Sequence, residues 1–200
     1  MAGRPKKPQL VILSSPSGGG KTTICRALAA QDNTFRISIS STTRQPRPEE
    51  KEGIHYHFIS KDEFQRCIQQ QKFLEYEIVH GNYYGTSKKQ VEDFLSAGYS
   101  VIFDIDVNGA LKIKKQYPKA LLIFIRPPSL EELKHRLKMR KSDNEEEIQK
   151  RLQRLPEEYE KAKYFDYDIT NDDLESTLKA ILRIIHKKQG MGHYVSKQSL

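Results

Sequence analysis

Gln9–Thr23 reads QLVILSSPSGGGKTT. Its first six residues form a short apolar run, the pattern of a β-strand covered on both faces. A turn of small residues, Ser15–Gly20, follows. A helix is expected from Lys21, with Ile24 and Leu28 four apart on one face. A glycine-rich turn between strand and helix, closed by a lysine and two threonines, reads as a phosphate-binding loop. Glycines let backbone N–H groups turn inward, and the helix N-terminus adds partial positive charge. Lys21 would reach the β- and γ-phosphates of a bound polyphosphate, and Thr22 would offer its hydroxyl to Mg²⁺. The pattern G-x-x-x-x-G-K-[ST] is met except at its first place, where Ser15 stands for glycine. The dinucleotide pattern G-x-G-x-x-G fails, because Thr23 occupies its third glycine.

The same rhythm recurs further along. Val101–Ile105 (VIFDI) and Ala120–Ile125 (ALLIFI) are buried-strand candidates, each followed by a helical pattern, and Tyr167–Thr170 is a shorter one. A last helix is expected from about Asp173 to Lys187, with Leu174, Leu178, Ile181, Leu182 and Ile185 on one stripe. Strand–helix alternation predicts an α/β fold in three layers, a central parallel sheet with helices on both faces. Residues 36–86 break the alternation. Arg36–Ser41, His55–Ile59 and Tyr76–His80 read as strands separated by turn-rich pieces, Gln45–Gly53 and Gly81–Gly85, so a small, mostly-β lobe inserted into the core is expected. Residues 140–147 (RKSDNEEE) are too polar to pack and read as a surface flap between helices.

Composition limits the alternatives. Two hundred residues, 36% hydrophobic and 30% charged, suit one domain with an inserted lobe and argue against general disorder. No apolar run approaches the ~18 residues of a membrane-spanning helix, and no secretory signal pattern follows the basic start. Cys25 and Cys67 form neither a disulfide framework nor a metal pair, so a reduced, cytoplasmic protein is expected. The net charge is +8, but Arg4, Lys6 and Lys7 precede the first strand and Lys187, Lys188 and Lys197 follow Ile185, at the two ends of the chain. The tails therefore read as solvating, and no specific nucleic-acid partner is expected.

Several side chains in the lobe are suited to an anion. Ser40–Arg47 (SSTTRQPR) sets Arg44 and Arg47 around Pro46, which stiffens the turn. Tyr56 and Tyr84 are hydroxyl donors, the latter in Gly81–Thr86 (GNYYGT), which reads either as a presenting turn or as a hairpin with packing tyrosines. Asp104 and Asp106 end an apolar strand, two apart; either suits a ligand site at the strand's carboxyl edge or a helix N-cap. Arg136 and Arg140 share a helix face, with Glu132 placed to pair with Arg136 and Glu147 with Arg151.

Taken together these stretches are specific. Ser15–Thr23, Ser40–Arg47, Gly81–Thr86, Asp104–Gly109 (DIDVNG) and Asn171–Leu174 (NDDL) resemble the motifs of the guanylate kinase family, in order and over roughly residues 9–187. The resemblance implies ATP-dependent phosphorylation of GMP to GDP, with Mg²⁺ as cofactor. It implies a domain over residues 8–187, with a core of 8–34 and 88–187, a GMP lobe of 35–87, and a helical lid of about 136–151. Basic tails, 1–7 and 188–200, flank it. By resemblance, Arg44, Arg47, Tyr56 and Tyr84 hold the GMP phosphate, with Glu50 beside them. Ser40, Glu75, Thr86 and Asp106 line the guanine pocket. Ser17, Gly18, Gly19, Gly20, Lys21, Thr22, Thr23 and Asn171 bind ATP. Thr22 and, through water, Asp104 serve the metal, and Lys21, Arg136, Arg140 and Arg151 act on the transferring phosphoryl. The chemistry is coherent: guanine presents N1 and N2 donors that one carboxylate accepts together, and adenine lacks that pair. Thr86 would donate to the guanine O6. Lys141 departs from the family's usual glycine and Asn108 from its usual glutamine. Two other functions fit parts of the pattern, a non-catalytic interaction module and a kinase of another nucleoside monophosphate. The intact Gly18–Thr22 turn argues against the first, and Glu75 with Thr86 against the second.

Overall fold

The structure, a computed structural model, describes residues 7–79, 81–139 and 145–191. Five parallel strands make the central sheet: β1 (Leu10–Ser14), β2 (Phe35–Ile37), β7 (Ser100–Asp104), β8 (Leu121–Arg126) and β9 (Tyr167–Thr170), in the order β2-β7-β1-β8-β9. Their alternation builds two cores. Val11 and Leu13 face one side, where they meet Ile24 and Leu28 of α1 (Lys21–Gln31) and Ile181 and Ile185 of α8 (Leu174–His186). Leu10 and Ile12 face the other, against Val91 of α3 (Lys88–Ser96) and Ile113 of α4 (Val107–Gln116). Period-two strands thus fill both faces at once, and three layers result. Asp173 caps α8 by accepting the Ser176 N–H at 2.9 Å, which is why that helix starts one residue later than expected. Among the described residues no helix is long and apolar enough to cross a membrane.

The second sheet has the order β4-β3-β6-β5, from β3 (Ser41–Thr42), β4 (His57–Phe58), β5 (Phe73–Val79) and β6 (Asn82–Ser87). Three sequence expectations need correction here. Arg36–Ser41 was expected in the inserted sheet, yet Phe35–Ile37 pairs with β7 as an edge of the central sheet, and only Ser41 joins the small one. Alternation marks a strand but does not name its partner. Gly81–Gly85 is mostly strand: the turn is confined to the hairpin tip at Gly81 (φ +77°), and Asn82–Ser87 runs antiparallel to β5. A helix the pattern did not reveal, α2 (Lys61–Gln69), follows Ser60, whose hydroxyl accepts the Glu63 N–H at 3.1 Å. The Ser-x-x-Glu spacing was its signal. Phe64 of α2 packs beneath Gly85, where a Cβ would meet Phe64 and Phe73 at 2.9 Å.

Three further helices, α5 (Leu130–Met139), α6 (Glu145–Leu152) and α7 (Leu155–Ala162), close the chain's path before β9. Leu133, Leu137, Ile148 and Leu155 give them a small core of their own. The expected flap over 140–147 is therefore corrected in part: Glu145–Glu147 begin α6, and 140–144 lie outside the described residues.

Candidate active site

The loop after β1 has the shape its glycines allow. Gly18 (φ +95°) and Gly20 (φ +89°) adopt left-handed backbone that disfavours a side chain. Ser15 keeps ordinary φ, so the missing first glycine is not needed there. Its buried hydroxyl donates to the Pro16 carbonyl at 2.9 Å, and the Gly19 N–H donates to the same oxygen at 2.9 Å. Gly20 precedes α1 without a side-chain cap, so the first N–H groups of that helix keep their donors for a ligand. Thr22 donates its hydroxyl to Asp104 Oδ2 at 2.5 Å, and Lys21 Nζ stands 3.4 Å from Asp104 Oδ1. Thr23 is exposed on the same turn.

Helices α5 to α7 pack over this loop. Leu133 and Leu137 press on Gly18, and Arg151 Nη1 donates to the Ser17 hydroxyl. Arg136 donates to Glu132 Oε1 at 2.7 Å, the helical pair expected from spacing, and its Nη1 reaches within 3.7 Å of where a Gly20 Cβ would stand. Arg140 lies outside the described residues, as does the Glu147 side chain. Asn171 is buried beneath the loop: its Nδ2 donates to the Gly19 carbonyl at 3.2 Å and its Oδ1 accepts from Thr177 at 3.1 Å. It braces the loop from behind and is not part of the cleft wall.

Opposite lie the lobe's arginines. Glu50 grips Arg44 with both oxygens, at 2.9 and 2.8 Å, and accepts the Arg47 N–H at 2.7 Å. Burial alone would raise the Glu50 carboxyl, but the Arg44 bonds and the Arg47 N–H hold it below the usual carboxylate range. Arg44 Nε donates to the Tyr84 hydroxyl at 3.1 Å, and Tyr84 meets Tyr56 edge-on, 5.8 Å between ring centres. Burial raises the Tyr56 phenol well above its ordinary value. Tyr83 points to the other side of β6 and packs on Phe64, so one aromatic of the pair serves the cleft and the other the lobe's core.

Glu75 and Thr86 are direct partners across β5 and β6, and Thr86 donates its hydroxyl to Glu75 Oε1 at 2.5 Å. Thr86 is fully buried, behind the cleft wall, with its proton already committed to Glu75. Glu75 is 7% exposed, and its carboxyl is pushed up to about 7, chiefly by burial. The Thr86 bond opposes that shift and the nearby Asp106 charge adds to it. Asp106 does what its N-cap alternative required, accepting the Gly109 N–H at 2.8 Å through Oδ1, and it also faces the cleft. Ser40, nearly buried, borders the same space.

One cleft of about 430 Å³ joins all of this, lined on one side by Ser15–Thr22 and on the other by Ser40, Arg44, Arg47, Tyr56, Glu75 and Tyr84. Sequence reasoning missed several of its residues, two of them charged and on the lid side. Arg154, at the start of α7, and Glu158, one turn later, both line it. Burial raises the Glu158 carboxyl to about 7 against the pull of Arg154 and Lys21. The signal was there in outline: Arg154 follows Arg151 by three residues and precedes Glu158 by four.

Comparisons with known proteins agree with this geometry. The family profile described as guanylate kinase matches residues 7–188. The chain is 51% identical over 179 residues to a guanylate kinase of Rickettsia felis, covering 90% of this chain and 93% of that one. It is 47% identical over 181 residues to one of Neisseria gonorrhoeae, covering 90% and 88%. The crystal structure of guanylate kinase from Anaplasma phagocytophilum superposes with a TM-score of 0.77 at 32% identity, over 92% of this chain and 87% of that one. With a phosphate-binding loop and an arginine–tyrosine cluster facing each other across one cleft, and relatives matched along nearly its whole length, the chain belongs to the guanylate kinase family.

Proposed function

We propose that this cleft performs the guanylate kinase reaction, direct in-line transfer of the ATP γ-phosphoryl to the GMP phosphate, giving ADP and GDP. The observation that carries the reading is the continuity of the cleft. A helix N-terminus with Lys21 forms one wall, and an arginine–tyrosine cluster beside a buried carboxylate forms the other. Ser17–Thr23 take the ATP phosphates, with Asn171 holding the loop in shape. Arg44, Arg47, Tyr56 and Tyr84 take the GMP phosphate, and Glu50 acts by fixing the two arginines. Ser40, Glu75 and Asp106 read the base. Thr86 contributes by orienting Glu75. The stretch from Ser41 to Ser87 is the acceptor lobe and α5 to α7 the lid, whose Arg136 and Arg151 serve the phosphates.

The acceptor phosphate is ionised near neutral pH, so no side chain need remove a proton. Catalysis rests on alignment and on fixed cations in a site that excludes water. The residues also fit Mg²⁺. Among the described residues no three His, Cys, Asp or Glu side chains cluster as a self-sufficient metal site. A hydroxyl and one carboxylate, Thr22 and Asp104, lie side by side at the loop. Such a sparse oxygen set suits an ion that keeps waters and phosphate ligands. When bound, Mg²⁺ would neutralise charge on the β- and γ-phosphate oxygens. Free thiols at Cys25 and Cys67 support a cytoplasmic location.

The test is steady-state kinetics with ATP, Mg²⁺ and a panel of GMP, AMP, CMP and UMP. GMP should be preferred by at least about a hundredfold in kcat/KM, the discrimination expected where the wrong base leaves buried acceptors unpaired. Chelation of the metal should abolish turnover. A preference for AMP or a pyrimidine nucleotide would refute the assignment of the base pocket.

A further inference from the structure

Two carboxylates crowd the start of α4. A Cβ at Gly109 would stand 2.7 Å from Glu75 Oε2 and 3.5 Å from Asp106 Oδ1. Asp106 spends Oδ1 on the Gly109 N–H. Its Oδ2 is buried and has no hydrogen-bond partner among the described residues. A buried, unpartnered carboxylate oxygen is costly, so a compensating cation is expected nearby. The cation present is Arg154, whose Nη2 stands 3.8 Å from Oδ2, with its side chain 25% exposed. That separation is too long for a hydrogen bond; a movement of about 1 Å would make one.

The helix carrying Arg154 is already tied to α4. Lys161, two turns on, donates to Asn108 Oδ1 at 2.5 Å. Arg151, three residues before Arg154, reaches the Ser17 hydroxyl of the phosphate loop. The end of α6 therefore sends one arginine to the donor loop and the start of α7 sends another to the acceptor pocket. Arg154 also faces the buried Glu158 carboxyl, which lies in its field and in that of Lys21. A guanidinium 3.8 Å from one carboxylate and in the field of a second carboxyl has part of its charge offset, so it is better suited to holding them than to a phosphoryl group.

We propose that Arg154 is a positioning residue for the acceptor base: it holds the free oxygen of Asp106 in place for the base and couples the lid segment to occupancy of the GMP pocket. This rests on the reading of Glu75 and Asp106 as base-facing. Arg154 supplies specificity and acceptor affinity, and the transfer step itself does not use it.

The test measures kcat and KM for GMP and for ATP in Arg154→Ala, Arg154→Lys, Asp106→Asn and the Arg154→Ala/Asp106→Asn double variant. The KM for GMP should rise about tenfold in Arg154→Ala, the worth of one charge-assisted hydrogen bond. Its kcat and its KM for ATP should stay within about twofold, and Arg154→Lys should recover part of the loss. In the Asp106→Asn background, removing Arg154 should add less than about twofold, since the partner is already gone. A fall in kcat at unchanged KM would place Arg154 on the phosphoryl group and overturn the proposal; so would full additivity in the double variant. Glu75→Gln, measured alongside, separates the two levels. If it leaves GMP-over-AMP selectivity intact, the base pocket itself is misread. If Glu75→Gln and Asp106→Asn weaken GMP binding and Arg154→Ala does not, only the positioning role fails. Should Arg154→Ala not fold, Arg154→Gln carries the same comparison.

Discussion

Replacing Glu75 with glutamine should make the protein more stable and less selective, and the gain in stability should depend on pH. Glu75 is 7% exposed, and its carboxyl is raised from 4.5 to about 7, first by burial and then by Asp106 and Glu77, with Thr86 and Lys112 opposing. The folded state therefore binds the Glu75 proton more tightly than the unfolded chain does. At low pH both states are protonated and the site costs nothing. As pH rises from about 4.5 to about 7, the unfolded chain ionises freely while the folded one resists, and stability is lost. Above that window the cost levels off at about 3 kcal/mol. Glutamine keeps an oxygen to accept the Thr86 hydroxyl and has no charge to bury. The surrounding groups are common to both proteins and cancel in the difference. Urea unfolding followed by far-UV circular dichroism, at pH 5 to 8 and constant ionic strength, gives that difference directly. The variant's advantage should grow by about 2–3 kcal/mol across this range. A difference that stayed flat with pH would show that Glu75 is not a buried, reluctant acid. The same variant should lose most of its preference for GMP over AMP, because one amide cannot accept both guanine donors.

Three other substitutions follow from the geometry. Lys21→Ala should leave GMP binding by calorimetry nearly unchanged while kcat falls by about a hundredfold or more; a wild-type rate would remove Lys21 from the transfer step. Gly109→Ala should push the Glu75 carboxylate aside, because the new methyl would lie 2.7 Å from Oε2, and the KM for GMP should rise with that for ATP unaffected; an unchanged GMP KM would mean the carboxylate has room to spare. Ser15→Gly restores the strict loop motif, yet Ser15 already has ordinary φ. We expect no gain in rate and a loss of about 1 kcal/mol in chemical denaturation, from the added freedom of the unfolded chain and the lost bond to Pro16; a faster enzyme would refute this account of the loop.

Much of the molecule is written locally in its chain. The run from Gln9 to Thr23 specifies strand, loop and helix because each depends on neighbours a few residues away: burial period, left-handed glycines, an uncapped helix start. The strand at Tyr167–Thr170 and the helix after Asp173 are readable for the same reason. Arg44, Arg47 and Tyr84 of the lobe stood out by type and spacing as groups suited to an anion, whereas Glu75 entered only through the family resemblance. What the chain does not state locally is partnership. Phe35–Ile37 has the alternation of any strand, and only its register with Ser100–Ile102 puts it in the large sheet. Arg154 and Glu158 look like an ordinary helical pair until α7 lies against α4 and turns them into the cleft. Glu75 is an acid by sequence, but the proton it keeps near neutral pH comes from the exclusion of water around it and from the Asp106 charge, against the pull of the Thr86 bond. Turn and helix propensities act over a few residues, whereas desolvation and Coulomb fields act between residues that only packing brings together.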